Sequence, residues 1–339
     1  MALLQRLKPM RVRLLLLLAV IGPGIITANV DNDAGGITTY SVAGAHYGYS
    51  LLWIVPFVAL ALIIVQEMSA RLGVITGKGL ADLIRERLGV RTTACILALL
   101  VLVNLTNTIS EFAGVAASLE IFGVSKYLSV PLAAAGVWLL IVKGNYKQVE
   151  RVFLVASALY LAYVASGLLA RPAWGQVLQE TVRPVFRLDA GYAVMAITIV
   201  GTTIAPWMQF YQQSAIADKG LKPEDYAFER LDVVVGSLFA VAIAIFITVS
   251  CAATIHARGL RIETAQDAAR ALAPLAGPYA AALFALGLLN ASVFAAAILP
   301  LSTAYTVCEA FGWESGAGAC ARRPSFSAST RPLSSSAHW

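Results

Sequence analysis

Eight long stretches of this chain contain no Asp, Glu, Lys or Arg: residues 14–30, 34–66, 92–110, 127–142, 152–170, 190–217, 233–255 and 271–308. A bilayer core needs roughly 20 mainly apolar residues per spanning helix, and within it every backbone polar group must be satisfied inside the segment. The stretches are apolar all round, without the polar stripe of a soluble amphipathic helix. With their flanks they predict spans near 14–46 (interrupted), 50–71, 92–122, 127–143, 149–170, 191–217 (interrupted), 231–256 and 278–311. The expected fold class is an all-α membrane protein with about eight transmembrane helices. Composition agrees. Only 13% of the 339 residues are charged, against roughly 25% in soluble domains. That excludes a disordered chain, a coiled coil and an ordinary soluble enzyme.

The net charge of +6 does not point to nucleic acid, because the basic residues sit between the apolar runs. There they set orientation. With the N-terminus inside, 15 of the 25 Lys and Arg fall on inside segments, including Arg6, Lys8, Arg11 and Arg13, and seven fall outside. An integral protein of a bacterial or archaeal cell membrane, its N-terminus cytoplasmic, is expected. Cys95, Cys251, Cys308 and Cys320 form no CxxC, so neither a disulfide framework nor a zinc site is indicated.

Two of the apolar segments are interrupted by residues that a plain span would not carry. The first contains Gly22-Pro23-Gly24 and then Asp31-Asn32-Asp33-Ala34-Gly35-Gly36. An acid at the bilayer centre costs roughly 2.5–3.5 kcal/mol, so it faces a cavity or a partner. The glycines let the backbone unwind. Carboxylates with freed carbonyl oxygens are the ligand set of a hard cation. The sixth segment contains Gly201-Thr202-Thr203-Ile204-Ala205-Pro206-Trp207, where Pro206 removes a helical N–H. Read singly, the first is also compatible with a solvated loop and the second with a packing kink. Broken helices five apart are the pattern of an inverted five-plus-five repeat with its substrate near the midplane.

At these residues the chain resembles the NRAMP divalent-metal transporters. The resemblance rests on Gly22-Pro23-Gly24, on Tyr49-Ser50-Leu51-Leu52-Trp53 and on the run from Ser69-Ala70-Arg71-Leu72-Gly73 to Lys78, and extends from about residue 10 to 316. It implies a LeuT-type fold with inverted repeats and broken helices 1 and 6. It also implies a metal site at Asp33, Gly36, Thr202 and Ala205. Asp33-Ala34-Gly35-Gly36 stands for the family's Asp-Pro-Gly-Asn, and Gly201 to Trp207 for Gly-Ala-Thr-Val-Met-Pro-His. Only the acid survives. The Asn position is Gly36 and the Met position is Ala205. Loss of a thioether disfavours soft metals, and an oxygen-lined, roomier site fits an ion that keeps its waters, as Mg²⁺ does. The pattern is similar to the NRAMP-related magnesium transporter branch.

The family's helix-six histidines are replaced by Trp207 and Gln212, and its helix-three acidic pair by Thr108 and Glu111. Proton coupling is therefore not expected. Asp31, Glu111, Trp207 and Gln212 are expected along the pathway or behind the site, with Asp31 adding charge at the cavity mouth. Glu67, Asn104, Asn107, Gln209, Gln213 and Asn290 are expected to hydrogen-bond between helices.

The organisation expected is a cytoplasmic N-terminus over 1–13, a transporter domain over 14–316 lacking two helices of its second repeat, and a disordered tail over 317–339. The tail holds six Ser, three Arg and no acid, the composition of a shifted reading frame, so a truncated or frame-shifted carrier is the expectation. The function expected is alternating-access transport of Mg²⁺ and Mn²⁺, with a proton-coupled Mn²⁺/Fe²⁺ carrier or a non-transporting membrane protein as alternatives. No enzyme activity, cofactor, nucleic acid or protein partner is expected. The partners are divalent ions and the bilayer.

Overall fold

The computed structural model describes residues 22–143 and 146–313. The predicted N-terminal segment, the tail and Cys320 lie outside the described residues. Among those described, every regular element is helical. Seven helical segments are long and apolar enough to cross a membrane. The eighth expected span is the first segment, of which two short helices are described, α1 (Pro23–Val30) and α2 (Ala34–Tyr47).

The spans that follow are α3 (Ile54–Thr76), α4 (Leu80–Ile121), α5 (Lys126–Lys143), then α6 (Tyr146–Leu159) with α7 (Leu161–Leu169). After a short α8 (Trp174–Val182) come α9 (Ala190–Thr203) and α10 (Pro206–Lys219), then α11 (Tyr226–Thr254), a short α12 (Ala265–Ala276) and α13 (Pro278–Phe311).

Two boundaries differ from expectation. α4 begins well before residue 92, because the charged segment Leu80 to Leu88 is itself helical. Gly89, at φ 79°, then redirects the chain into the apolar part. The fifth span, expected as one helix, is described as α6 and α7, meeting at Tyr160. Helices α8 and α12 were not expected. They are short and amphipathic rather than apolar, so a search for spans passes over them. α12 has an ordinary start signal: Thr264 and Asp267 form a reciprocal capping box.

The interior is built around α11 and α13. α1 and α2 both pack on α11, and α13 packs along α4. Where α1 crosses α11 the backbones touch. A Cβ on Gly236 would lie 2.7 Å from the Cα of Ile25, and one on Gly24 would lie 2.7 Å from the backbone N of Val233. Small residues allow this approach. Beside it, the Asp232 carboxylate accepts from Gly22 N at 3.1 Å and Gly24 N at 2.8 Å, satisfying the first donors of α1. The break after α1 is thereby held at a fixed height against α11.

Candidate ion site between two broken helices

Residues 31–33 separate α1 from α2. Asp33 has an extended backbone and caps α2: its carboxylate accepts from Gly36 N at 2.7 Å. A second donor comes from α4, where Asn107 Nδ2 lies 3.3 Å from the other oxygen. Glu111, one turn further along α4, accepts from Ala34 N at 3.1 Å. Two carboxylates thus sit at the N-terminus of α2, where unpaired N–H groups and the helix dipole favour negative charge. Asn32 turns away from them and donates to the Ala240 carbonyl of α11 at 3.0 Å.

The second break is at Ile204 and Ala205. Ile204 leaves helical geometry (φ −125°, ψ 67°). Ala205 is extended and Pro206 opens α10. Oriented so that its nitrogen faces oxygen, the Gln209 amide donates to the carbonyls of Ala205 and Pro206, each at 2.9 Å. The two breaks are joined by the Tyr40 and Thr203 hydroxyls, 2.7 Å apart, with Thr203 also donating to the Ile199 carbonyl.

Gly36 also faces the second segment. A Cβ there would lie 2.7 Å from the Asp31 carbonyl oxygen, 3.5 Å from Asp33 Oδ1 and 3.6 Å from Thr202 Oγ1. Three oxygens from two broken helices therefore surround one point. The space that a side chain at 36 would take is occupied by the Asp31 carbonyl, so Gly36 contributes close backbone approach rather than room. Ala205 is half-buried at the N-cap of α10.

Of the other expected residues, Asp31 is 3% exposed and Glu111 fully buried. Trp207 is buried, and its carbonyl accepts from Ser302 of α13 at 3.3 Å, which turns it toward packing. Gln212 is buried with no hydrogen-bond partner for its amide among the described residues. Thr108 returns its hydroxyl to the Asn104 carbonyl at 2.7 Å. His256 contacts the Ala45 carbonyl at 3.0 Å, at the far end of α2 from the break. His338 lies outside the described residues.

Asn107, grouped with the interhelical polar residues, makes such a bond, and its partner is Asp33. Asp232 was not recognised from sequence: it lies one residue outside an apolar run, a weak signal, yet it anchors α1.

The electrostatics are one-sided. The three ion pairs among the described residues are Arg71–Glu67, Lys78–Glu86 and Arg85–Asp82, and none involves Asp31, Asp33 or Glu111. Nor do three His, Cys, Asp or Glu side chains converge as a metal cage among the described residues.

Two broken helices that meet at a polar centre, among seven segments apolar enough to cross a membrane, define an α-helical fold of the LeuT type. The chain belongs to the Nramp family, whose sequence profile (natural resistance-associated macrophage protein-like) matches residues 24–330. It is 29% identical over 286 residues to the divalent metal cation transporter MntH of Aeromonas hydrophila, covering 81% of this chain and 70% of that one. It is 28% identical over 299 residues to the protein of the same name from Bacillus subtilis, covering 84% and 69%. In fold it matches the crystal structure of the Eremococcus coleocola manganese transporter with a TM-score of 0.73 at 22% identity, over 93% of this chain and 68% of that one.

Proposed function

We propose that this protein carries divalent metal cations across the membrane by alternating access, with Mg²⁺ and Mn²⁺ as its substrates. The ion binds between the two breaks, at Asp33, the backbone around Gly36, Thr202 and Ala205. The observation that carries this is the buried Asp33 carboxylate at the break, with oxygens from both broken helices around Gly36 and no cationic side chain paired to it. A dication supplies the missing charge. The names of the relatives, divalent metal cation transporter and manganese transporter, support the same substrate class.

The preference for a hard ion rests on ligand chemistry. Around Gly36 the atoms offered are oxygens, from Asp33, Thr202 and the Asp31 carbonyl, and Ala205 offers no sulfur. Several buried polar atoms nearby lack partners among the described residues, including Glu111 Oε1, Ser292 Oγ and Tyr160 OH. Such orphans mark places where water binds, and Mg²⁺ retains its waters. Ala205→Met is expected to raise Cd²⁺ affinity relative to Mn²⁺ about tenfold, because a thioether binds soft ions better. Competition of Cd²⁺ against Mn²⁺ on the purified protein reads this directly. An unchanged preference order removes Ala205 from the site.

Transport proceeds without proton coupling, since neither Trp207 nor Gln212 titrates and Thr108 replaces an acid. Glu111, buried beside Asp33, favours the second reading, a proton-coupled Mn²⁺ carrier. Liposomes loaded with a pH dye separate the two. With Mn²⁺ or Mg²⁺ added outside, the lumen is expected to keep its pH while metal enters, and metal-dependent acidification would establish coupling instead. The N-terminus is placed in the cytoplasm, as the Lys and Arg distribution favours.

A further inference from the structure

We propose that Asp31 is a second carboxylate of the ion site, so that the dication is held between Asp31 and Asp33 rather than by Asp33 alone. This rests on the carrier function proposed above and adds a ligand to it.

Three carboxylates lie at the first break, and two have donors. Asp33 accepts from Gly36 N and Asn107, and Glu111 from Ala34 N. Asp31 is the exception. It is 3% exposed, and among the described residues its Oδ1 has no hydrogen-bond partner and no Lys or Arg pairs with it. An uncompensated buried carboxylate is costly and is retained where a cation meets it.

Its position fits that role. Asp31 and Asp33 lie within electrostatic reach of each other. Tyr40 of α2, buried near both, links their segment to Thr203 of the second break. The Asp31 backbone already belongs to the site, since its carbonyl oxygen is the nearest atom to the point above Gly36 that Asp33 Oδ1 and Thr202 Oγ1 also approach. Two carboxylates match the charge of a dication, and a second anionic oxygen favours a hard ion over a soft one. An amide at 31 keeps shape and hydrogen bonding but removes the charge.

Calorimetry with Mn²⁺ on the purified full chain tests the assignment. Asp31→Asn is expected to weaken Mn²⁺ binding at least tenfold, while Asp31→Glu, which keeps the charge, stays within a few-fold of the parent. Manganese anomalous scattering from crystals of the unaltered protein gives a readout that does not depend on a variant folding. The peak is expected within direct or one-water reach of both carboxylates. A folded Asp31→Asn protein with the parent's affinity, or a peak on Asp33 with Asp31 out of reach, overturns this assignment and leaves the carrier function standing. A parent that binds no Mn²⁺ overturns both.

Discussion

Replacing Asp33 with Ala is expected to lower Mn²⁺ affinity by about 100-fold or more, because removing one partner of a buried charge interaction costs several kcal/mol. Asp33 is buried at the break, where the Gly36 amide and Asn107 orient its carboxylate. The neighbours do not make up the loss: Asp31 alone leaves a dication half neutralised, Glu111 is engaged with Ala34 N, and Thr202 brings a neutral hydroxyl. The same substitution removes the cap of α2, a loss of about 1 kcal/mol, so a modest fall in thermal stability should accompany the loss of binding. Calorimetric titration of a variant shown to be folded separates the two effects. Parent-like affinity would remove Asp33 from the site.

The second large effect is structural. Gly236→Val is expected to drive α1 off α11, since even its Cβ would stand 2.7 Å from Ile25 Cα and 2.8 Å from the Gly24 carbonyl oxygen. Both contacts are backbone and cannot rotate aside. Overpacking of this kind costs about 3 kcal/mol, or roughly 4 °C in melting temperature for a chain of this size. Separation would also pull Gly22 and Gly24 from Asp232 and unseat the break carrying Asp33. Melting followed by size-exclusion chromatography, together with Mn²⁺ binding, is the check. A variant with the parent's melting temperature would mean that α1 is not clamped as described.

The spans and both breaks were legible in the sequence because their causes are local. Hydrophobicity sets a span, and Asp31-Asn32-Asp33 and Ala205-Pro206 interrupt one wherever they occur. The arrangement of the site was legible only in part. Nothing near Asn107 in the sequence indicates that it reaches Asp33, 74 positions away, and nothing near Asp232 indicates a bond to Gly24, 208 positions away. Gly36 shows the limit most clearly. As a substitution it implies a larger cavity, whereas in the fold the Asp31 carbonyl fills the space. The early start of α4 was missed because its first turns are charged, and a span search reads charge as a boundary. α8 and α12 carry a helical period that a search for apolar length passes over.

The central claim is that a divalent ion crosses the membrane through the point where the two breaks meet. Its most direct test is Mn²⁺ influx into proteoliposomes containing the full chain or its Asp33→Ala variant, followed by quenching of a trapped fluorophore. Saturable influx by the parent, slowed by competing Mg²⁺ and absent in Asp33→Ala, is the predicted result. Influx by the parent no faster than in protein-free liposomes, or equal influx by Asp33→Ala, would contradict it.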